Sequence, residues 1–165
     1  VLGSANPVAG PYFNFSVPEP TGVVGLVAPA GSSLLGLVSR LAPVIVSGNT
    51  AVVVASEARP LPAITLTEVL GTSDLPGGVV NVLTGFTAEL ITPLAAHMDV
   101  NALDLAGLDL ALYQEAELAA AENVKRVVPP VKLSARDWLS DAKGQDPYWI
   151  AAFLEIKTVW HPVGV

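Results

Sequence analysis

Residues 21–57, TGVVGLVAPAGSSLLGLVSRLAPVIVSGNTAVVVASE, constrain the fold more than any other stretch of the chain. Val23 to Ala28 is a short apolar run rich in Val and Gly. Pro29 to Ser33 is a turn of small residues, and Leu34, Leu35, Leu37, Val38 and Leu41 then recur at helical spacing. Ala51 to Val54 is a second β-branched run, closed by Ser56 and Glu57. A continuous apolar strand that feeds a helix and then another such strand is the βαβ unit of a parallel sheet. A transmembrane helix is the competing reading, because residues 20–39 are long enough to span a bilayer. Pro29 and Gly31, with Ser32 and Ser33 beside them, break that run and favour the turn.

The rest of the chain repeats the unit. Pro60 and Pro62 open a helix whose apolar face is Ile64, Leu66, Val69 and Leu70. The pattern predicts a strand at 79–83, a helix at about 88–97, a strand at 101–105, a helix at 110–122 and a fifth strand at 124–128. With right-handed crossovers this is an α/β fold, a doubly wound parallel five-stranded Rossmann-like sheet. A small β extension is expected outside it. Tyr12, Phe13 and Phe15 suit a short edge strand ended by Pro18 and Pro20. Beyond Pro129 a polar segment leads to FLEIKTVWHP, which alternates with period two. Phe153, Glu155, Lys157 and Val159 then share one face, and Leu154, Ile156, Thr158 and Trp160 the other. Residues 152–162 are expected to pair with Tyr12–Phe15 and to dock on another subunit or domain, because an exposed edge strand is a liability until something covers it.

Composition narrows the function. Hydrophobic residues make up 52% of the chain and charged residues 14%, which suits a sheet covered on both faces and leaves apolar surface for a partner. The net charge of −7 argues against nucleic acid. Residues 1–85 hold Arg40 and Arg59 against Glu19, Glu57, Glu68 and Asp74, so most of the acidic excess lies further on. The absence of cysteine removes disulfides, thiolate metal sites and a cysteine nucleophile. The chain starts at Val1 without a signal-peptide pattern and reads as an excerpt of a longer polypeptide, with no membrane partner and a cytoplasmic location expected.

Several ordered motifs carry a family resemblance. PTGVVGLVAP, SGNTAVVVASEARPLPA, LPGGVVNVLTG, the 97–107 stretch and ENVKRVV follow one another as in the NAD-binding domain of aldehyde dehydrogenases. On that resemblance residues 18–128 are an NAD-binding-type Rossmann domain, and residues 1–17 and 129–165 are an extension for oligomerisation or docking. The tail KTVWHPVG resembles the end of the C-terminal, non-catalytic unit of two-domain family-16 aldehyde dehydrogenases.

Most functional positions of the family are replaced. Its oxyanion asparagine falls on Gly31 of Pro29-Ala30-Gly31, which has no side-chain donor. Its ribose-binding lysine falls on Val54, while the companion glutamate survives as Glu57, beside Ser56. Its pyrophosphate loop becomes Leu105-Ala106-Gly107-Leu108, followed by Asp109, a like charge for a phosphate. Its general-base motif falls on Pro129-Pro130-Val131-Lys132. The resemblance therefore implies a degenerate pseudoenzyme domain of an oxidoreductase, with no catalytic residues in this chain and a parent polypeptide that is an aldehyde dehydrogenase. No cofactor is expected, and any NAD binding should be weak, through a vestigial site at Ser56, Glu57 and Gly107. The expected partner is a second copy or a catalytic aldehyde dehydrogenase domain, met through Tyr12, Phe15, Phe153 and Trp160. The alternative is a nucleotide-binding module that keeps part of the NAD site.

Other chemistry is weaker. There is no G-x-G-x-x-G and no Walker lysine, so Gly22, Gly25 and Gly31 read as turn and close-packing glycines. His97 and His161 lack ligand-like neighbours. Asp99, Asp104 and Asp109 are expected to face solvent. Trp138, Tyr148, Trp149 and Trp160 read as interface anchors rather than a ligand platform.

Overall fold

A computed structural model describes residues 2–130, 132–134 and 136–164. Val131, within the stretch that matches the general-base motif, lies outside the described residues. Three strands come first: β1 (Ser4–Asn6), β2 (Tyr12–Pro20) and β3 (Val23–Val27). Then follow α1 (Leu35–Val46), β4 (Thr50–Val54), α2 (Leu61–Gly71), β5 (Val80–Leu83), α3 (Thr87–Ala96), β6 (Ala102–Asp104), α4 (Leu110–Ala120) and β7 (Arg126–Val128). The chain closes with the one-turn helices α5 (Asp141–Gly144) and α6 (Tyr148–Ala151) and the strand β8 (Leu154–Pro162).

The main sheet is five-stranded and parallel, in the order β5-β4-β3-β6-β7. The strand order reverses beside β3, and crossovers on either side of that point place helices on both faces. Period-two alternation divides the core accordingly. Val24, Leu26, Ala51 and Val53 face Leu37, Leu41 and Val44 of α1 and Ala63 of α2. Val27, Val54 and Leu103 face Ile91 and Leu94 of α3 and Ala116 and Ala120 of α4. Gly25 permits this second layer to close, because a Cβ there would lie 2.8 Å from a Leu103 methyl and 3.0 Å from Leu94. Among the described residues no helix is long and apolar enough to cross a membrane.

The extension is a separate antiparallel sheet in the order β1-β2-β8. The tail does pair with the Tyr12–Phe15 segment, over a longer span than expected, from Tyr12 opposite Pro162 to Pro20 opposite Leu154. Two prolines lie inside β2 without breaking it. The Thr21 N–H donates to the Phe153 carbonyl, so odd residues of β2 turn their backbone groups to β8, and Pro18 and Pro20 have their missing N–H on the other side. That side is also where the shorter β1 ends, at Ser4 opposite Ser16.

Phe153 departs from the expectation of an exposed docking anchor. It precedes β8 and is fully buried in the core with Val24, Leu41 and Val44. Its carbonyl accepts from Thr21 N–H at 3.2 Å and Asn49 Nδ2 at 2.9 Å. The alternation begins one residue later than it seemed, and Phe153 is the plug that fixes the small sheet to the large one. Burying such a side chain contributes about 1.5–3 kcal/mol. Tyr12 and Trp160 do stay exposed and meet edge to face at 6.1 Å, while Phe15 is half-buried beside Phe13.

Candidate functional site

The carboxyl ends of β3, β4 and β6 open on a crevice of about 520 Å³ at the reversal of strand order, where open α/β sheets place their ligands. Its lining includes Ala28, Ser56, Glu57, Thr87, Gly107 and Asp109. The three residues expected to form a vestigial cofactor site, Ser56, Glu57 and Gly107, are thus brought together. Their individual surroundings differ.

Glu57 is exposed, and its Oε2 accepts the Thr87 N–H at 2.9 Å. Phe86, the residue that precedes α3, has no side chain able to cap it, so Glu57 satisfies that helix end from across the crevice. Asp109 caps α4 by accepting the Leu112 N–H at 2.9 Å. Both helix ends that line the crevice therefore carry a carboxylate of the chain itself. Among the described residues no lysine or arginine lines it. The arrangement is a poor fit for a dianionic pyrophosphate, which would meet negative charge where helix N–H groups would otherwise attract it.

Gly107 serves packing. A Cβ at this position would stand 2.3 Å from the Ala28 carbonyl oxygen, so only glycine lets the loop after β6 lie on the end of β3. Ser56 is buried, and its Oγ has no hydrogen-bond partner among the described residues. Val54, where the resemblance places a lysine, lies wholly within the core.

Behind the crevice is a feature the sequence reading missed. Asp104 was expected to face solvent; it is fully buried at the end of β6. Its Oδ2 accepts Arg40 Nε at 2.7 Å and lies 2.7 Å from Nη2, and Oδ1 accepts the Ala106 N–H at 3.1 Å. Burial pushes the Asp104 carboxyl up from its ordinary value, with the Arg40 guanidinium and the Ala106 N–H opposing. Trp149 covers the guanidinium at 4.2 Å and meets buried Trp138 edge to face at 6.0 Å. Trp138 and Trp149 are therefore intramolecular lids, and not the interface anchors expected; of that group Tyr148 and Trp160 are exposed. A signal was present. Leu37, Arg40, Leu41 and Val44 share one helical face, so the only charge between Pro20 and Ser56 sits on the buried stripe of α1 and requires a buried counter-ion.

No cluster of metal-ligating side chains occurs among the described residues. Asp99 N–H donates to His97 Nδ1, a local contact at the end of α3.

Comparison with known proteins agrees with this architecture. Mitochondrial aldehyde dehydrogenase from Leishmania tarentolae is 34% identical over 127 residues, covering 77% of this chain and 26% of the relative. Cytosolic aldehyde dehydrogenase 1 from Elephantulus edwardii is 32% identical over the same length, covering 77% and 25%. The crystal structure of PnpE in complex with nicotinamide adenine dinucleotide superposes with a TM-score of 0.73 at 31% identity, covering 77% of this chain and 26% of PnpE. The chain thus spans about a quarter of the length of these relatives. The model of the aldehyde dehydrogenase family matches residues 2–129, which takes in β1 to β7, so the fold, the order of motifs and the matched span lead to one assignment: the chain belongs to the aldehyde dehydrogenase family.

Proposed function

We propose that this chain is a non-catalytic, degenerate NAD-binding-type domain that serves assembly in an aldehyde dehydrogenase-like oxidoreductase. The observation that carries the reading is the pair of carboxylates, Glu57 and Asp109, that cap the helix ends lining the crevice. Gly31, Val54 and Pro129-Pro130 stand where the family resemblance calls for the oxyanion donor, the ribose lysine and the general base, and the chain has no cysteine. A fold outlasts its site because the site is a graft on a core that packs without it. The assembly role draws on the β1-β2-β8 sheet, which Phe153 fixes to the core while Tyr12 and Trp160 remain exposed. Its partner is a second copy or a catalytic aldehyde dehydrogenase domain, and the tail's resemblance to family-16 proteins is consistent with both.

A second reading, a nucleotide-binding module, is favoured by one observation: the unpartnered Ser56 hydroxyl buried at a crevice of ligand size. Titration calorimetry with NAD separates the two. We expect no micromolar site and no NADH formation with a panel of aldehydes. A micromolar site that weakens on Ser56→Ala favours the second reading, and turnover above a heat-killed control defeats the first.

A further inference from the structure

The crevice at the reversal of strand order carries the wrong charge for a dinucleotide, and we infer that it takes a primary ammonium ion on a short carbon chain instead. This rests on the reading that the NAD site has degenerated, and it gives the altered site a ligand class of its own. The charge follows from the two helices that start there. A helix N-terminus carries about half a positive charge, and each of these two is capped by a full carboxylate, so together they leave the crevice negative by about one unit. Glu57 caps α3 through Oε2, and Asp109 caps α4 through Oδ1. Glu57 Oε1 and Asp109 Oδ2 have no partner among the described residues. A monocation is the ligand that balances this charge.

A second observation, independent of the carboxylates, calls for a hydrogen-bond donor. Ser56 lines the same crevice at 3% exposure, and its Oγ has no partner among the described residues. Folded proteins leave few buried polar atoms in that state, and at the wall of a cavity a bound donor accounts for one. The Ser56 hydroxyl and the two free carboxylate oxygens supply three acceptors, and a primary ammonium has three N–H donors.

Other ligands match less of the crevice. A phosphate accepts from the Ser56 hydroxyl and is repelled by both carboxylates. A quaternary ammonium meets the charge and offers no donor. A divalent metal ion needs more ligands, and no group of three metal-ligating side chains occurs among the described residues. The walls account for the carbon chain. Ala28, Ala30 and Leu112 give it apolar contact, and Phe86, which is 63% exposed, presents an aromatic ring beside the carboxylates.

Butylammonium is the probe, titrated into the folded chain while backbone amide shifts are followed by NMR. Butyrate, 1-butanol and butyltrimethylammonium serve as the matched anion, neutral molecule and donorless cation. Shifts should centre on Ser56, Thr87, Gly107 and Leu112 with a Kd of about 1 mM or tighter, a modest affinity for so small a molecule. The three matched compounds should bind at least about tenfold more weakly, because they lack the charge or the donors. Glu57→Gln and Asp109→Asn keep both helix caps, since an amide oxygen accepts the same N–H, and each should weaken butylammonium by about three- to tenfold. Ser56→Ala should weaken it similarly without touching either helix end. The double variant Glu57→Gln, Asp109→Asn, with circular dichroism unchanged, should lose butylammonium and gain inorganic pyrophosphate. Shifts that do not localise to the crevice, 1-butanol or butyltrimethylammonium binding as tightly as butylammonium, or amide variants of unchanged affinity overturn the inference. Absence of butylammonium binding together with absence of NAD binding overturns it and leaves the degenerate reading standing, whereas micromolar NAD binding to the unaltered chain removes both.

Discussion

Replacing Arg40 by methionine should be among the most damaging single changes in this chain. The substitution keeps much of the aliphatic stem that packs beside Leu37, Leu41 and Val44, and removes the charge. Asp104 then remains at 0% exposure with the Ala106 N–H as its only hydrogen-bond partner among the described residues. Breaking a buried pair by deleting one partner costs about 3–5 kcal/mol, because the surviving charge is neither hydrated nor compensated. A domain of this kind has a net stability of about 5–15 kcal/mol. The expected loss is therefore a large fraction of the total and should lower Tm by about 6–20 °C. The double variant Arg40→Met, Asp104→Ala leaves no buried charge and should recover most of it. Urea unfolding of wild type, both single variants and the double variant yields the coupling energy. The pH dependence gives an independent check. Without Arg40, burial holds the Asp104 carboxyl well above its unfolded value, so the folded state binds a proton that the unfolded chain has already lost. Stability of Arg40→Met should therefore fall as pH rises from below about 4 towards neutrality. A coupling energy under about 0.5 kcal/mol, or a variant indifferent to pH, would refute the claim that Asp104 depends on Arg40.

Two further outcomes test how the tail is attached and folded. Phe153→Ala should cost about 3–5 kcal/mol, a full core truncation and not a surface change, and should raise amide exchange along β8 ahead of the parallel sheet. Asp137 accepts from Lys143 Nζ, Ser134 Oγ and Ser134 N–H, which in that order hold its carboxyl down at about 2 from an ordinary 3.8. A depressed carboxylate contributes stability above its unfolded pKa and loses it as pH falls through the folded one. The fluorescence of Trp138, its neighbour, should therefore change between about pH 4 and 2, and Asp137→Asn should flatten that transition.

What the sequence determines here is what repeats along it. Apolar runs such as Val23–Ala28 and Ala51–Val54, each followed by residues at helical spacing, specify parallel strands and crossover helices because period and connection length leave few alternatives. The alternation after Phe153 likewise specifies a strand, and the aromatic residues near Tyr12 indicate its mate. The replaced motif positions at Gly31, Val54 and Leu108 are equally plain in one dimension. The tertiary structure decides whatever depends on residues distant in sequence. It seats Phe153 in the core because the strand starts one residue later than the alternation implies. It joins Arg40 to Asp104, 64 positions away, and covers them with Trp149. It also makes helix caps of Glu57, read from the sequence as a ligand residue, and of Asp109, read as facing solvent. A side chain's partner is set by which surfaces the folded sheet brings within about 3 Å of one another, and local spacing along the chain does not encode that distance.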